Sequence, residues 1–147
     1  MTYSGSSGKK VELLVAEDSD YDFQILQKSL ERVGPDLKVF RFFDGNELYS
    51  YLDQESVKPL EKSKKLILLD LNMPCKGGRD FLNELREHPS KEIRDLPVII
   101  VTTSMYEEDL KAVMLAGISD FIIKSDQLEG VDQFCADVQR HIKLLCA

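Results

Sequence analysis

The sequence is poor in cysteine, has no excess of basic residues and contains no long apolar run, and each shortage excludes a class of protein. Cys75, Cys135 and Cys146 are an odd number without CxxC spacing, which argues against a disulfide framework or a zinc site. This cysteine usage favours a reduced, cytoplasmic protein. The net charge of -7 argues against a nucleic-acid-binding face. Because no run approaches about 18 apolar residues, we expect no membrane-spanning helix.

The composition that remains is that of an ordinary globular domain, with 43% hydrophobic and 31% charged residues. A length of 147 residues predicts a single domain with a substantial core. Residues 1–10 lack the apolar stretch of a signal peptide, and we expect them to form a flexible extension. Residues 11–147 are then expected to form the domain.

Five short apolar runs, each bounded by turn or polar residues, predict β-strands, although a buried helix segment would give the same signal as the central run, Leu66–Leu69. The predicted strands are Val11–Ala16, Leu37–Phe42, Leu66–Leu69, Val98–Val101 and Phe121–Ile123. Between and after them, apolar residues at helical spacing predict five helices. This alternation indicates an α/β fold, and the natural one is a flavodoxin-like, doubly wound (βα)5 arrangement. Its five-stranded parallel sheet would have the order 2-1-3-4-5.

Two details of the helix prediction are specific enough to test. Ser104 and Glu107 are spaced as a capping box, which predicts the start of the fourth helix. We expect Val113 and Met114 on the inward face of that helix. Residues 91–97, before the fourth strand, are interpreted as a connecting loop.

Residues with reactive or ligating side chains stand where the predicted strands end. Glu17 and Asp18 follow the first strand, and Asp70 follows the third. Thr102 follows the fourth strand and Lys124 the fifth. Ligands of open parallel sheets bind outside the carboxyl ends of the strands, so we expect these five side chains to share one edge.

Taken singly, each of these residues is more simply a solvated loop residue or a strand-end group bonded to backbone. Together they describe a pocket. Three clustered carboxylates without histidine or cysteine suit a hard cation such as Mg²⁺, which also accepts phosphate oxygens as ligands. A hydroxyl and an ammonium group beside them could bind a phosphoryl group, and an aspartate carboxylate can itself be phosphorylated.

These residues also form motifs that resemble the response-regulator receiver domain of two-component signalling. The motifs are Glu17-Asp18, ILLDLNMP at 67–74, LPVIIVTTS at 96–104 and DFIIKS at 120–125. They follow one another in the family's order across residues 11–145. Within the family, the chain most resembles the small regulators that accompany bacterial phytochromes.

The resemblance implies a role for each matching residue. Asp70 would accept a phosphoryl group from a phosphohistidine on a sensor histidine kinase. Asp18 and Asp70 would bind Mg²⁺, with the backbone carbonyl of Asn72 as a further ligand and Glu17 acting through a water molecule. Three further residues would respond to or bind the phosphoryl group. They are Thr102 as a phosphoryl ligand and switch, Lys124 as its cation and Phe121 as an aromatic switch.

The resemblance also implies how such a protein works. It would be a phosphorylation switch in a phosphorelay. It would catalyse only its own phosphorylation and slow autodephosphorylation, and would not otherwise be an enzyme. Since the sequence ends at Ala147, soon after the last predicted helix, no output domain is expected, and the switch would act on a downstream protein partner. Ile142, Leu144 and Leu145 would serve a possible homodimer.

Three positions depart from the family pattern. Ser125 replaces the usual proline, whose cis bond would cost about 3 kcal/mol without proline. Thr103 replaces a common alanine and is expected to restrict access to the phosphoryl group, whereas Cys75 beside Pro74 is expected to tune access to the pocket. Two rival functions are an enzyme of the haloacid-dehalogenase type and a scaffold that is never phosphorylated. Asn72 stands where the DxD motif of such an enzyme has its second acidic residue, which argues against the enzyme. The intact set of site residues argues against the scaffold.

Overall fold

The structure is a computed structural model that describes residues 11–31, 37–56, 64–73, 75–102, 106–123 and 136–144. Within these residues, five parallel strands form one sheet in the order β2-β1-β3-β4-β5. The strands are β1 (Val11–Ala16), β2 (Leu37–Phe42), β3 (Lys64–Leu69), β4 (Val98–Thr102) and β5 (Asp120–Ile123). The order confirms the predicted flavodoxin-like sheet.

The helices connect the strands on both faces of the sheet. They are α1 (Asp20–Leu30), α2 (Gly45–Glu55), α3 (Gly78–Leu85), α4 (Lys91–Arg94), α5 (Glu107–Ala116) and, at residues 136–144, α6. The predicted flexible extension at residues 1–10 lies outside the described residues.

The interpretation of residues 91–97 as a plain loop is wrong, because they contain the single turn α4. Ser90 caps this turn by accepting a hydrogen bond from the backbone N–H of Ile93 at 3.5 Å. Ile93 is buried in the core, so one apolar side chain and one cap suffice to fold a turn that is too short to show periodicity.

The prediction for the start and face of α5 is also wrong in part. The N-cap position of this helix is occupied by Tyr106, whose side chain makes no capping hydrogen bond, and Ser104 lies outside the described residues. Val113 is buried as predicted, but Met114 is 63% exposed. Residues 112–116 are all apolar, so their periodicity does not define one face, and only contact with the sheet decides which side chain is buried.

Both faces of the sheet are buried, which explains why its central strands are apolar at every position. Successive side chains of a strand point to opposite faces. Accordingly, Leu14 belongs to one apolar cluster, which includes residues of α2, α3 and α5. Leu13 belongs to the other, which includes residues of α1 and α6. The strands are therefore held in fixed register, and so are the residues that follow their carboxyl ends.

A buried polar cluster occupies the opposite edge of the sheet, where the strands begin. The Tyr51 hydroxyl donates a hydrogen bond to Glu12 Oε1 at 2.7 Å, and Lys65 Nζ lies 3.5 Å from Glu12 Oε2. Burial, the hydrogen bond to Glu12 and the charges of Glu12 and Glu55 raise the pKa of Tyr51 well above its ordinary value. The hydroxyl therefore remains a donor throughout the physiological pH range.

Replacing Tyr51 with phenylalanine is expected to lower the free energy of unfolding by about 1–2 kcal/mol. The change removes a hydrogen bond to the charged carboxylate of Glu12, which is 5% exposed. Urea unfolding followed by circular dichroism measures the effect, with Tyr21→Phe on an exposed ring as the control. Equal stability of the two variants would contradict the prediction.

Candidate functional site

The first site residues lie side by side because β1 and β3 are paired in parallel register. Ala16 pairs with Leu69, so Glu17 and Asp70 directly follow paired residues. The backbone N–H of Asp70 donates to the carbonyl oxygen of Ala16 at 3.2 Å, which continues the ladder into the site. The backbone N–H of Glu17 likewise donates to the carbonyl oxygen of Phe42 at 2.9 Å. Both acidic residues are thus fixed through their backbones.

Glu17, Asp18 and Asp70 form what we call the acidic cluster. Each offers one carboxylate oxygen, and these oxygens all lie within 4.8 Å of one another. Glu17 and Asp70 are buried, whereas Asp18 is exposed. Like charges this close repel one another, and a divalent cation would relieve the repulsion. Three oxygen ligands open to solvent on one side fit Mg²⁺, which usually keeps several of its water ligands.

Local hydrogen bonds orient two of the carboxylates. The backbone N–H of Asn72 donates to Asp70 Oδ1 at 3.0 Å, and the backbone N–H of Ser19 donates to Glu17 Oε2 at 3.2 Å. Ser19 in turn accepts from the backbone N–H of Asp22 at 3.2 Å, which caps α1 as the start of that helix requires. The acidic cluster therefore belongs to two ordered turns.

Thr102 and the position of Lys124 follow from the pairing of β4 with β3 and β5. Thr102 is fully buried at the carboxyl end of β4. It pairs in register with Ile123, the last residue of β5, so Lys124 directly follows the residue opposite Thr102. Lys124 itself lies outside the described residues, as do Thr103 and Ser125.

The remaining predicted site residues are Asn72 and Phe121. Asn72 is exposed in the turn after Asp70. Phe121 lies within β5, opposite Ile100, and its side chain is 39% exposed. Phe121 is thus set back from the carboxyl end of its strand, whereas the acidic cluster and Thr102 lie at the ends of theirs.

Two residues near the site were not singled out from the sequence. Arg41 of β2 donates from Nε to the carbonyl oxygen of Glu17 at 3.1 Å. Gly78 packs so closely beneath Asp70 that an added Cβ would lie 2.6 Å from the Asp70 carbonyl oxygen. An arginine among the apolar residues of β2 was a visible signal, but its target was not. For Gly78, the sequence shows only a glycine pair, which is typical of a turn.

Comparison with known proteins identifies the family. The model of the response regulator receiver domain matches residues 13–133. The chain belongs to this family. It is a receiver domain of a two-component system, which confirms the resemblance stated from the motifs. Among the described residues, no helix is both long enough and apolar enough to cross a membrane.

Three similar proteins illustrate the relationship. Response regulator Rcp1 of Synechocystis sp. is 34% identical over 126 residues, which cover 86% of this chain and 84% of Rcp1. The crystal structure of the phosphorylated cyanobacterial phytochrome response regulator RcpA superimposes with a TM-score of 0.77 at 29% identity, covering 89% of this chain and 92% of RcpA. The Mn²⁺-bound form of Rcp1 gives 0.73 at 31% identity, covering 88% and 91%. The predicted similarity to phytochrome-associated regulators is thereby confirmed.

Proposed function

We propose that this protein is a phosphorylation switch in which Asp70 accepts a phosphoryl group from a phosphohistidine of a sensor histidine kinase. The observation that carries the proposal is the acidic cluster, whose three carboxylate oxygens lie within 4.8 Å at the ends of paired strands. Membership of the receiver family gives this cluster a chemical purpose. The crystal structure of Rcp1 in a Mn²⁺-bound form supports the binding of a divalent cation by this chain.

In the proposed reaction, a carboxylate oxygen of Asp70 attacks phosphorus and the P–N bond of the phosphohistidine breaks. The bonding electron pair leaves with the imidazole nitrogen, which is then protonated. The hydrogen bond from the Asn72 N–H holds the Asp70 carboxylate in one orientation for this attack. Mg²⁺ bound by Asp18 and Asp70, with Glu17 acting through water and the Asn72 carbonyl as a further ligand, would supply charge neutralisation.

The other ligands of the phosphoryl group are proposed from their place on the same edge. The Thr102 hydroxyl would donate to a phosphoryl oxygen, and the Lys124 ammonium would pair with another. Lys124 directly follows Ile123 in the sequence, and Ile123 pairs with Thr102. Movement of Thr102 toward the phosphoryl group would alter the exposure of Phe121 on the neighbouring strand. That change is the proposed signal to a downstream protein partner.

The biological setting is proposed from the relatives. RcpA is a cyanobacterial phytochrome response regulator, which supports a phytochrome-type kinase as the phosphoryl donor here. A cytoplasmic location, a homodimer and slow autodephosphorylation as the sole turnover belong to the same proposal.

The test is intact-mass spectrometry of the wild-type protein with Mg²⁺ and phosphoramidate, a small donor with the same P–N bond as a phosphohistidine. We expect one phosphoryl group per chain, and none when EDTA removes the cation. Absence of the adduct from protein that demonstrably binds Mn²⁺ would contradict the phosphoacceptor role. An adduct that forms equally in EDTA would contradict the role of the metal.

A further inference from the structure

The turn that carries Asp18 is held by a side chain from the edge strand. Arg41 lies on β2 opposite Val15 of β1, and its side chain is 16% exposed. We infer that Arg41 is a positioning residue for the divalent-cation site, because its guanidinium holds the residues on either side of Asp18. The inference rests on the proposed function, since it concerns the cation that the acidic cluster would bind.

Two polar contacts fix the turn from both ends. Arg41 Nε donates to the carbonyl oxygen of Glu17 at 3.1 Å, and Arg41 Nη1 lies 2.7 Å from Asp20 Oδ1. Asp18 and Ser19 thus lie in the sequence between two residues that are held by a single planar group. A guanidinium presents its donors in a rigid fork, so the two contacts fix the relative positions of Glu17 and Asp20.

The guanidinium also contacts two aromatic rings. Its central carbon lies 4.8 Å from the ring centroid of Phe23 and 4.1 Å from that of Phe43. Phe23 belongs to α1, which begins directly after the acidic turn, and Phe43 follows β2. These two cation–π contacts restrict the rotamers of Arg41. The fork is therefore ordered before a cation binds.

The charges around Arg41 indicate that it acts on the cation site by positioning the turn and not through its own charge. A lone cation beside the site would repel a divalent metal ion, but the charge of Arg41 is matched by the carboxylate of Asp20. Within the part of the chain that is described, Arg41 Nη2 is buried without a hydrogen-bond partner. A buried unpaired donor lowers the stability of the fold. If this position served only to stabilise the sheet, an apolar side chain would therefore do so better than arginine. Among the described residues, Arg41 contacts the acidic turn and the two rings beside it.

The experiment measures Mn²⁺ binding from the free-ion electron paramagnetic resonance signal, alongside urea unfolding in EDTA. We expect Arg41→Met to weaken Mn²⁺ binding by roughly tenfold, the scale of lost support around a metal site. Arg41→Lys keeps the charge but not the fork, so we expect it to weaken binding by a smaller factor. Unchanged or tighter binding by Arg41→Met, or wild-type binding by Arg41→Lys, would overturn the inference.

Arg86 provides a matched control for lost stability. Its guanidinium also donates to backbone carbonyl oxygens, but at the edge where β4 and β5 begin. Its acceptors belong to Arg94, Leu96, Ala116 and Gly117. Arg86→Met is expected to lower the urea midpoint while leaving the Mn²⁺ dissociation constant unchanged. A weakening equal to that of Arg41→Met would show that any loss of stability has this effect and would overturn the inference.

A second pair of variants covers the case in which Arg41→Met does not fold. Asp20→Asn and Asp22→Asn each remove one charge from the first turn of α1, but Asp20 is the residue that pairs with Arg41. We expect Asp20→Asn to weaken Mn²⁺ binding more than Asp22→Asn, and equal effects would overturn the inference. Failure of the wild-type protein to bind Mn²⁺ would contradict the proposed function instead.

Discussion

Replacing Asp70 with asparagine is expected to abolish phosphorylation by phosphoramidate completely. The amide nitrogen and oxygen of asparagine cannot replace the carboxylate oxygen that would attack phosphorus. Asn can still accept the hydrogen bond that Asp70 Oδ1 receives from the Asn72 N–H at 3.0 Å, so the turn should keep its shape. Intact-mass spectrometry of the wild type and the variant under identical conditions provides the measurement.

The same substitution removes one of the three charges of the acidic cluster. We therefore expect the Mn²⁺ dissociation constant to rise by about tenfold or more, since ligand charge sets the affinity of oxygen-only sites. Asp80→Asn is the matched control, because Asp80 is an exposed carboxylate in the first turn of α3. It should be phosphorylated like the wild type.

Three results would contradict these expectations. A phosphoryl group on the Asp70→Asn variant would place the acceptor elsewhere in the chain. Loss of phosphorylation in Asp80→Asn as well would show that the net charge near the turn after Asp70, and not the attacking carboxylate, controls the reaction. Unchanged Mn²⁺ affinity in Asp70→Asn would remove Asp70 from the cation site, although its carboxylate lies within 4.8 Å of its two neighbours.

The sequence predicts the sheet and the acidic cluster because both follow from short-range patterns. An all-apolar run such as Leu66–Leu69 indicates a strand covered on both faces, and parallel strands bring their carboxyl ends to one edge. Asp70 is the residue that follows such a run, so its place needs no knowledge of distant contacts. The register of Ala16 with Leu69 then puts it beside Glu17.

The sequence does not predict features that depend on contacts between distant residues. Arg41 binds the carbonyl oxygen of Glu17 across 24 positions of sequence, and nothing in the pattern of β2 names that acceptor. Met114 is exposed because α5 contacts the sheet through Val113, a choice that a continuous apolar run leaves open. The structure brings the three carboxylates of the acidic cluster together, but the roles assigned to all the site residues stay predictions.

Gly78 is a further case in which only the structure supplies the reason. Replacing it with alanine is expected to lower the free energy of unfolding by about 3 kcal/mol, the upper end of the usual cost of overpacking. The new Cβ would lie 2.6 Å from the Asp70 carbonyl oxygen and 2.8 Å from the Leu71 Cα. Both atoms belong to the backbone, so neither can move aside by a change of rotamer. Urea unfolding in EDTA measures the loss.

Gly77→Ala is the matched control, one residue earlier. A Cβ on Gly77 would lie 3.6 Å from the Leu71 carbonyl oxygen, which is an ordinary contact, and its φ of -68° is accessible to alanine. The smaller unfolded-state entropy of alanine offsets its poorer capping of α3, so we expect a change within about 0.5 kcal/mol. Comparable stability of the two variants would contradict the prediction for Gly78.

The loss at Gly78 should extend to function because relief of the clash requires the backbone of Asp70 or Leu71 to shift. Gly78 donates its backbone N–H to the Leu71 carbonyl oxygen at 3.2 Å, so the start of α3 and the end of β3 move together. A displaced Asp70 carboxylate would no longer be aligned with Glu17 and Asp18. We therefore expect slower phosphorylation in Gly78→Ala even under conditions where it is fully folded, and wild-type kinetics there would show that the site tolerates the shift.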